Sequence, residues 1–439
     1  MSNNKVGYWG AVSIGIGGMV GGGIFAVLGL AVQLAHGATP VAFLIAGIVA
    51  LLTSYSYAKL SVKYPSQGGT VIFLDRAFGV ELFTGMMNNL LWVSYVVMLA
   101  LYAYAFGSYA ATFFPSEYQP LMKHVLISVG IILPAVLNVL SASLVSKAET
   151  YVVIIKLIIL LFFIAIGLQG VETQRLQLSE WPSMLQVASG GMIIFVAYEG
   201  FELIANTAQD TANPASTLPK AFYTSVLFVI LLYIMIAVVS IGNLSVQSIV
   251  ETKDYALAEA AKPFLGSFGF ILIAIAAVLS TFSAINATMY GASRLSYVIA
   301  KEGELPKFLE HKIWNRPIEG LLITTVCALL LANMGNIEQI STMGSAGFLL
   351  IFAGVNAANI KLASQTNSRR WLSGIGLGTC IAAFGALFWY TLRQNPAQLW
   401  ILAAMLGLVF LIEWGYRAYR EHELVFTDSS DTKDQSNMN

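Results

Sequence analysis

Three groups of residues in this chain carry chemistry that a lipid-facing helix does not keep without a reason. The run Phe195-Val196-Ala197-Tyr198-Glu199-Gly200-Phe201-Glu202 sets two carboxyl groups around a glycine inside an apolar stretch. An acidic side chain at the centre of a membrane helix costs on the order of 3 kcal/mol on insertion scales, so each carboxyl needs a partner or a water-filled cavity. The plainer reading is a protonated glutamate held by a structural hydrogen bond. Lys156 lies ten residues beyond Ser146 in another apolar stretch. At about 1.5 Å per residue that is about 15 Å deep, half of a roughly 30 Å hydrocarbon core. A lysine there must find carbonyls or an anion, or give up its proton. The third group is Gly15-Ile16-Gly17-Gly18-Met19-Val20-Gly21-Gly22-Gly23-Ile24-Phe25, with six glycines in nine residues. Each glycine weakens a helix by about 1 kcal/mol, so the backbone is expected to unwind. Close helix packing through small residues, such as Gly17 and Gly21, is the competing reading.

The elements that must position these groups are membrane helices. The 439 residues are 57% hydrophobic and 10% charged, with a mean hydropathy of +0.74, whereas an ordinary soluble domain carries about 25% charged residues. Apolar runs separated by Pro, Gly and charged joints predict helices near 8–34, 41–63, 81–113, 122–142, 146–169, 184–207, 219–242, 264–299, 318–334, 338–363, 371–392 and 397–419. This is an all-α membrane protein of about twelve transmembrane helices in a single transmembrane domain, 1–420. The polar segment 421–439 is expected to be a disordered cytoplasmic tail. No removed signal peptide is expected, because the first residues run into the glycine-rich segment without a small-residue cleavage pattern.

Most of the 23 basic residues fall on one side of this arrangement, among them Lys5, Lys59, Lys63, Arg76, Lys220, Arg294, Lys301, Arg369, Arg370 and Arg417. Lys123, Arg175, Lys253, Lys262 and Arg393 fall on the other. The positive-inside rule then puts both termini in the cytoplasm of a multi-pass protein of the inner (plasma) membrane. The glycine run lies in the first span, and the run holding Glu199 and Glu202 lies in the sixth. Interrupted helices at corresponding places in two halves point to a transporter with inverted repeats, here about 8–169 and 184–363, with accessory helices at about 371–419.

Other classes find little support. A formal net charge of zero gives no basic surface for nucleic acid. Cys327 and Cys380 sit in apolar runs without CxxC spacing, which disfavours a disulfide or zinc site. His36, His124, His311 and His422 fall in joints or the tail, leaving no intramembrane metal or haem cluster. No enzyme motif occurs in a convincing context, and Gly344-Ser345-Ala346-Gly347 reads as a packing run. A channel-like ion pathway would show a carbonyl filter or a ring of charge, and none is found. Saturable turnover with counterflow is what separates a carrier from a channel.

At these segments the chain resembles the amino acid-polyamine-organocation (APC) superfamily, and within it the proton-coupled amino acid transporters. The likeness spans most of the chain. It includes the glycine run ending in Gly23-Ile24-Phe25, Glu199-Gly200-Phe201-Glu202 followed by Asn213-Pro214 and Leu218-Pro219-Lys220-Ala221, and Val153-Ile154-Ile155-Lys156-Leu157. It also includes Ala260-Ala261-Lys262-Pro263-Phe264-Leu265-Gly266, the run Phe282 to Gly291, and Lys301-Glu302-Gly303-Glu304-Leu305-Pro306. The resemblance implies a LeuT-type fold of two inverted five-helix repeats plus two accessory helices, carrying an amino acid substrate between the first and sixth helices. Its carboxylate would meet N–H groups at Gly21, Gly22, Gly23 and Ile24. Its ammonium would meet carbonyls of the segment Phe195, Val196, Ala197, Tyr198 and Glu199, nearest Phe195, Val196 and Glu199. No cofactor is implied; a proton is the coupling ion, with Lys156 standing where sodium-coupled relatives hold a cation. By the same match its ammonium approaches the Gly17 carbonyl and the Ser283 hydroxyl, and Glu202 serves proton sensing or gating. Glu199 and Val196 depart from the pattern, many members having an apolar residue at the first position and some an aromatic gate at the second. Glu199 either faces the substrate and selects cations, or faces neighbouring helices and is met by a hydrogen-bonded partner. The second reading is favoured, because a free carboxylate would repel the group that the first helix binds. The implied partners are the amino acid and membrane lipid, and the sequence leaves the oligomeric state and the direction of transport open.

Overall fold

The computed structural model describes residues 5–140, 143–301 and 318–436, with side chains left out at 140, 143–150 and beyond 418. Among these residues helices are the regular elements, with one isolated β-bridge between Val6 and Thr211. In order the helices are α1 (Tyr8–Met19), α2 (Gly23–Ala35), α3 (Thr39–Lys63), α4 (Thr70–Phe78), α5 (Leu82–Ala111), α6 (Gln119–Leu140), α7 (Ser143–Gly167) and α8 (Met184–Ile193). After two 3-10 segments, Phe195–Tyr198 and Phe201–Asp210, come α9 (Pro214–Asn243), α10 (Val246–Glu251), α11 (Ala256–Lys301), α12 (Ile318–Met334), α13 (Ile337–Lys361), α14 (Ala363–Thr366), α15 (Arg370–Gln394) and α16 (Pro396–Ser436).

Nine helical stretches among the described residues are long and apolar enough to cross a membrane, one of them, Gly23–Lys63, comprising α2 and α3. The pair Met184–Ile193 and Phe195–Asp210, bent by 52°, makes a tenth, and α12 is a shorter apolar helix. Burial sorts these helices into inner and outer. The apolar window of α5 is 94% buried, whereas those of α6, α15 and α16 are 22–28% buried. In lipid an exposed Leu or Ile carries no penalty, so the outer helices keep apolar residues on both faces. α5 packs on α11, α6 and α13, α3 packs on α9, and α1 packs on α9 and on Phe201–Asp210.

Local chemistry sets several boundaries. Asn336 caps α13 in a reciprocal box with Gln339. α9 begins at Pro214, five residues before the expected start, because Asn213 takes a left-handed turn and proline suits the first helical position. The helix expected at 264–299 extends back to Ala256 and kinks at Gly266, whose φ of 60° needs glycine. α16 runs to Ser436, through most of the segment expected to be disordered, since extending a formed helix costs little compared with starting one. The motif Glu302-Gly303-Glu304-Leu305-Pro306 and His311 lie outside the described residues.

Candidate functional site

The glycine run is a break. α1 stops at Met19 and α2 starts at Gly23. The sixth segment also breaks: α8 ends at Ile193, Glu199 is extended, and Gly200 takes φ 113°, a left-handed value that favours glycine. The two breaks cross with backbone against backbone. A Cβ on Gly18 would lie 2.8 Å from the Gly200 carbonyl oxygen, and one on Gly23 would lie 2.8 Å from the Ala197 Cα. No larger residue fits either position without moving main chain.

Each break leaves polar backbone groups that need partners in an apolar interior. The Tyr233 hydroxyl from α9 lies 2.7 Å from the Met19 carbonyl and 3.1 Å from the Ala197 carbonyl, joining the two breaks, and the Ile24 N–H lies beside it. The Ser280 hydroxyl of α11 donates to the carbonyls of Val20, at 3.0 Å, and Gly21. The end of α8 is closed by α13: Ser341 and Ser345 both donate to the Ile193 carbonyl at 2.7 Å, and Ser345 accepts the Val196 N–H at 2.9 Å. Gly344 faces Val196, and Gly347 lies against Ser94, so the Gly344–Gly347 run packs as expected while its serine also caps.

What remains at the start of α2 is an uncapped helix N-terminus, an end that favours negative charge. It carries no side-chain cap, and the N–H groups of Gly22 and Gly23 have no acceptor among the described residues. Gly21 differs from expectation: its N–H donates to the Gly18 carbonyl at 3.1 Å. Over Gly22 stands the ring of Tyr102 from α5, too close for any side chain there. The same Tyr102 donates from its hydroxyl to a Glu199 carboxyl oxygen at 3.0 Å. Glu199 therefore has a hydrogen-bonded partner on a neighbouring helix, and that partner also covers the first break.

Glu199 and Glu202 are 3% and 2% exposed and stand close enough to influence each other. Glu202 accepts from the Gly200 N–H at 2.8 Å and from Tyr95 at 3.4 Å, which pins it under the left-handed turn. Of the other residues expected at the substrate, Tyr198 turns away, donating to the Phe43 carbonyl of α3 at 2.8 Å. The Val196 carbonyl accepts from Glu199 N–H at 3.2 Å, and the Ala197 carbonyl is held by Tyr233. Phe195 packs edge-on against Phe352, with ring centroids 5.9 Å apart.

Lys156 is 2% exposed and donates to the Gly17 carbonyl at 3.2 Å, at the end of α1. Ser283, also expected beside Lys156, is half-buried on α11. Three residues earlier on α11, the Ser280 hydroxyl points at the first break, toward the Val20 carbonyl. Tyr102, Tyr233, Ser280 and Ser345 were missed in the sequence, where each is an ordinary polar residue within an unbroken apolar helix. No group of three or more His, Cys, Asp or Glu side chains among the described residues could hold a metal ion.

Comparison with known proteins agrees with this architecture. Residues 6–411 match the amino acid permease family. The chain is 35% identical over 426 residues to an uncharacterized protein of Methanocaldococcus jannaschii, covering 95% of this chain and 96% of that one. It is 34% identical over 406 residues to the inner membrane transport protein YbaT of Escherichia coli, covering 92% and 94%. A more distant relative, the mitochondrial cationic amino acid transporter 3 of Arabidopsis thaliana, is 26% identical over 78% of this chain and 59% of its own length. With its multi-pass helical fold and two crossed helix breaks, the chain belongs to the amino acid permease family, within the APC superfamily of transporters.

Proposed function

We propose that this permease is a secondary active transporter of neutral amino acids, by uptake or exchange, coupled to protons and independent of sodium. The observation that carries the reading is the buried Lys156 ammonium on the Gly17 carbonyl. It supplies a positive charge at the end of a helix whose carbonyls would otherwise call for a cation. The uncapped N–H groups of Gly22 and Gly23 suit the substrate carboxylate. Tyr102, bridging Gly22 and Glu199, is the side chain that has to move for solute to reach them. We read the interrupted pairs, α1 with α2 and α8 with the segment Phe195–Asp210, as single spans and α12 as a span. That gives twelve helices in a 5+5 inverted repeat with two accessory helices, both termini cytoplasmic, in the inner membrane.

A preference for cationic solutes is the second reading. It is favoured by the carboxyl of Glu199 beside the first break and by a relative named as a cationic amino acid transporter.

Reconstitution into proteoliposomes tests the main reading. Labelled alanine or leucine should accumulate under an inward proton gradient with no sodium present. One proton per solute at 100 mV supports a ratio on the order of fifty. Uptake that demands a sodium gradient and ignores a proton gradient would overturn proton coupling.

A further inference from the structure

At one edge of the bundle, α3 and α9 leave a groove whose lining changes in a fixed order. On α3 the outward positions read Leu44, Ile48, Tyr55, Lys59 and Lys63, spaced by whole helical turns, with the two aliphatic residues exposed. On α9, which runs antiparallel beside it, the matching order in reverse is Leu231, Leu227, Tyr223 and Lys220. Both walls thus pass from aliphatic through tyrosine to lysine toward the same end. There the groove opens into a cavity of about 430 Å³ lined by Tyr55, Lys59, Lys63, Tyr223 and the connection Gln365–Asn367.

No acidic side chain among the described residues balances the charge in this cavity. Its lining holds two lysines and no acidic residue. Neither Lys59 nor Lys63 forms an ion pair among the described residues, and Lys59 donates only to the Asn367 carbonyl, at 3.1 Å. The first turn of α9, a 30-residue helix, reaches the cavity through Ala215, adding the positive end of its dipole.

We propose that this cavity is a binding site for the phosphate headgroup of an anionic phospholipid. Its acyl chains would lie along Ile48, Leu44, Leu227 and Leu231. A generic belt of interfacial tyrosines and snorkelling lysines needs no cavity. Here a cavity lined by two lysines sits at the end of an apolar track, in the order in which a phospholipid presents its own parts. A soluble anion would leave the track unused. A headgroup held there would tie α3 and α9, which pack around both helix breaks, to the connection between α13 and α15.

The test is native mass spectrometry of the intact transporter in detergent, titrated with phosphatidylglycerol, phosphatidylcholine or inorganic phosphate. Wild type should retain one phosphatidylglycerol that phosphatidylcholine does not displace. A lysine near an anionic lipid contributes roughly fivefold in affinity, so K59Q/K63Q should weaken retention about twenty-five-fold. K59R/K63R keeps the charge and should restore it, and Lys361→Gln, outside the cavity, should change nothing. Equal retention by wild type and K59Q/K63Q would overturn the site, as would equal loss in the arginine variant. Inorganic phosphate competing as well as phosphatidylglycerol would overturn the assignment to lipid.

Discussion

The two helix breaks solve the same problem by different means. The first is made of backbone: Gly18, Gly22 and Gly23 admit main chain or a tyrosine ring where a Cβ would stand, and its carbonyls are met from outside by Tyr233, Ser280 and Lys156. The second keeps one glycine, Gly200, and is otherwise held by side chains. Glu202 folds back onto the Gly200 N–H, Glu199 reaches Tyr102, and two serines of α13 close the end of α8. Glycines packed against main chain leave little room for substitution, while the side chains around Gly200 can be retuned residue by residue. Under the proposed function, the first would suit what every amino acid shares, the carboxylate, and the second what distinguishes one substrate or one pH from another.

The largest effect expected from that contrast is at Gly22. Gly22→Leu collides with Tyr102 and should weaken amino acid binding by on the order of a hundredfold, about 2.7 kcal/mol. Scintillation proximity on a monodisperse preparation reads it, with Gly407→Ala, where the added Cβ meets nothing within 4 Å, as the control. If the folded Gly22→Leu fraction binds normally, the glycines only pack helices.

Next comes Lys156→Ala, which leaves the Gly17 carbonyl without its charged donor. Loss of a hydrogen bond to a charged group costs about 1.5–3 kcal/mol, so proton-driven uptake should fall by at least about tenfold. A pH dye inside the vesicles should no longer report acidification with substrate. Coupling that survives in this variant would move the proton site to the second break.

Glu199→Gln keeps the shape and removes the titratable group. Competition by lysine, putrescine, alanine and leucine against a labelled substrate should keep its wild-type order, while the pH dependence of uptake changes. A wild type that prefers cations, with the preference lost in the variant, would establish the cationic reading instead. The smallest effect is expected from Tyr102→Phe, which keeps the ring over Gly22 and removes the bond to Glu199. A neutral-type hydrogen bond contributes about 0.5–1.5 kcal/mol, so apparent affinity should shift by about two- to tenfold. No shift would uncouple the two breaks.

Both breaks were legible because each violates a local rule strongly: glycine density in one case, two carboxyls in an apolar run in the other. Lys156 was legible by depth alone. Its bond to Gly17 is the one the family resemblance implied, whereas the Ser280 hydroxyl that α11 turns to the first break gave no signal, because that contact is set by packing. Tyr102 gave no local signal, since a tyrosine in the apolar α5 breaks no rule until the partner across the bundle is known.

The sequence by itself determined that this chain is a bundle of apolar helices, where two of them are interrupted, and which three charged side chains cannot face lipid. Those properties are local, fixed by composition, glycine content and the cost of burying charge over a few turns. Only the tertiary structure decided that the two interruptions cross backbone on backbone, that Tyr233 serves both, and that one tyrosine links Gly22 to Glu199. These contacts join residues far apart in the chain. Their partners are selected by helix packing, which no periodicity along a single segment encodes.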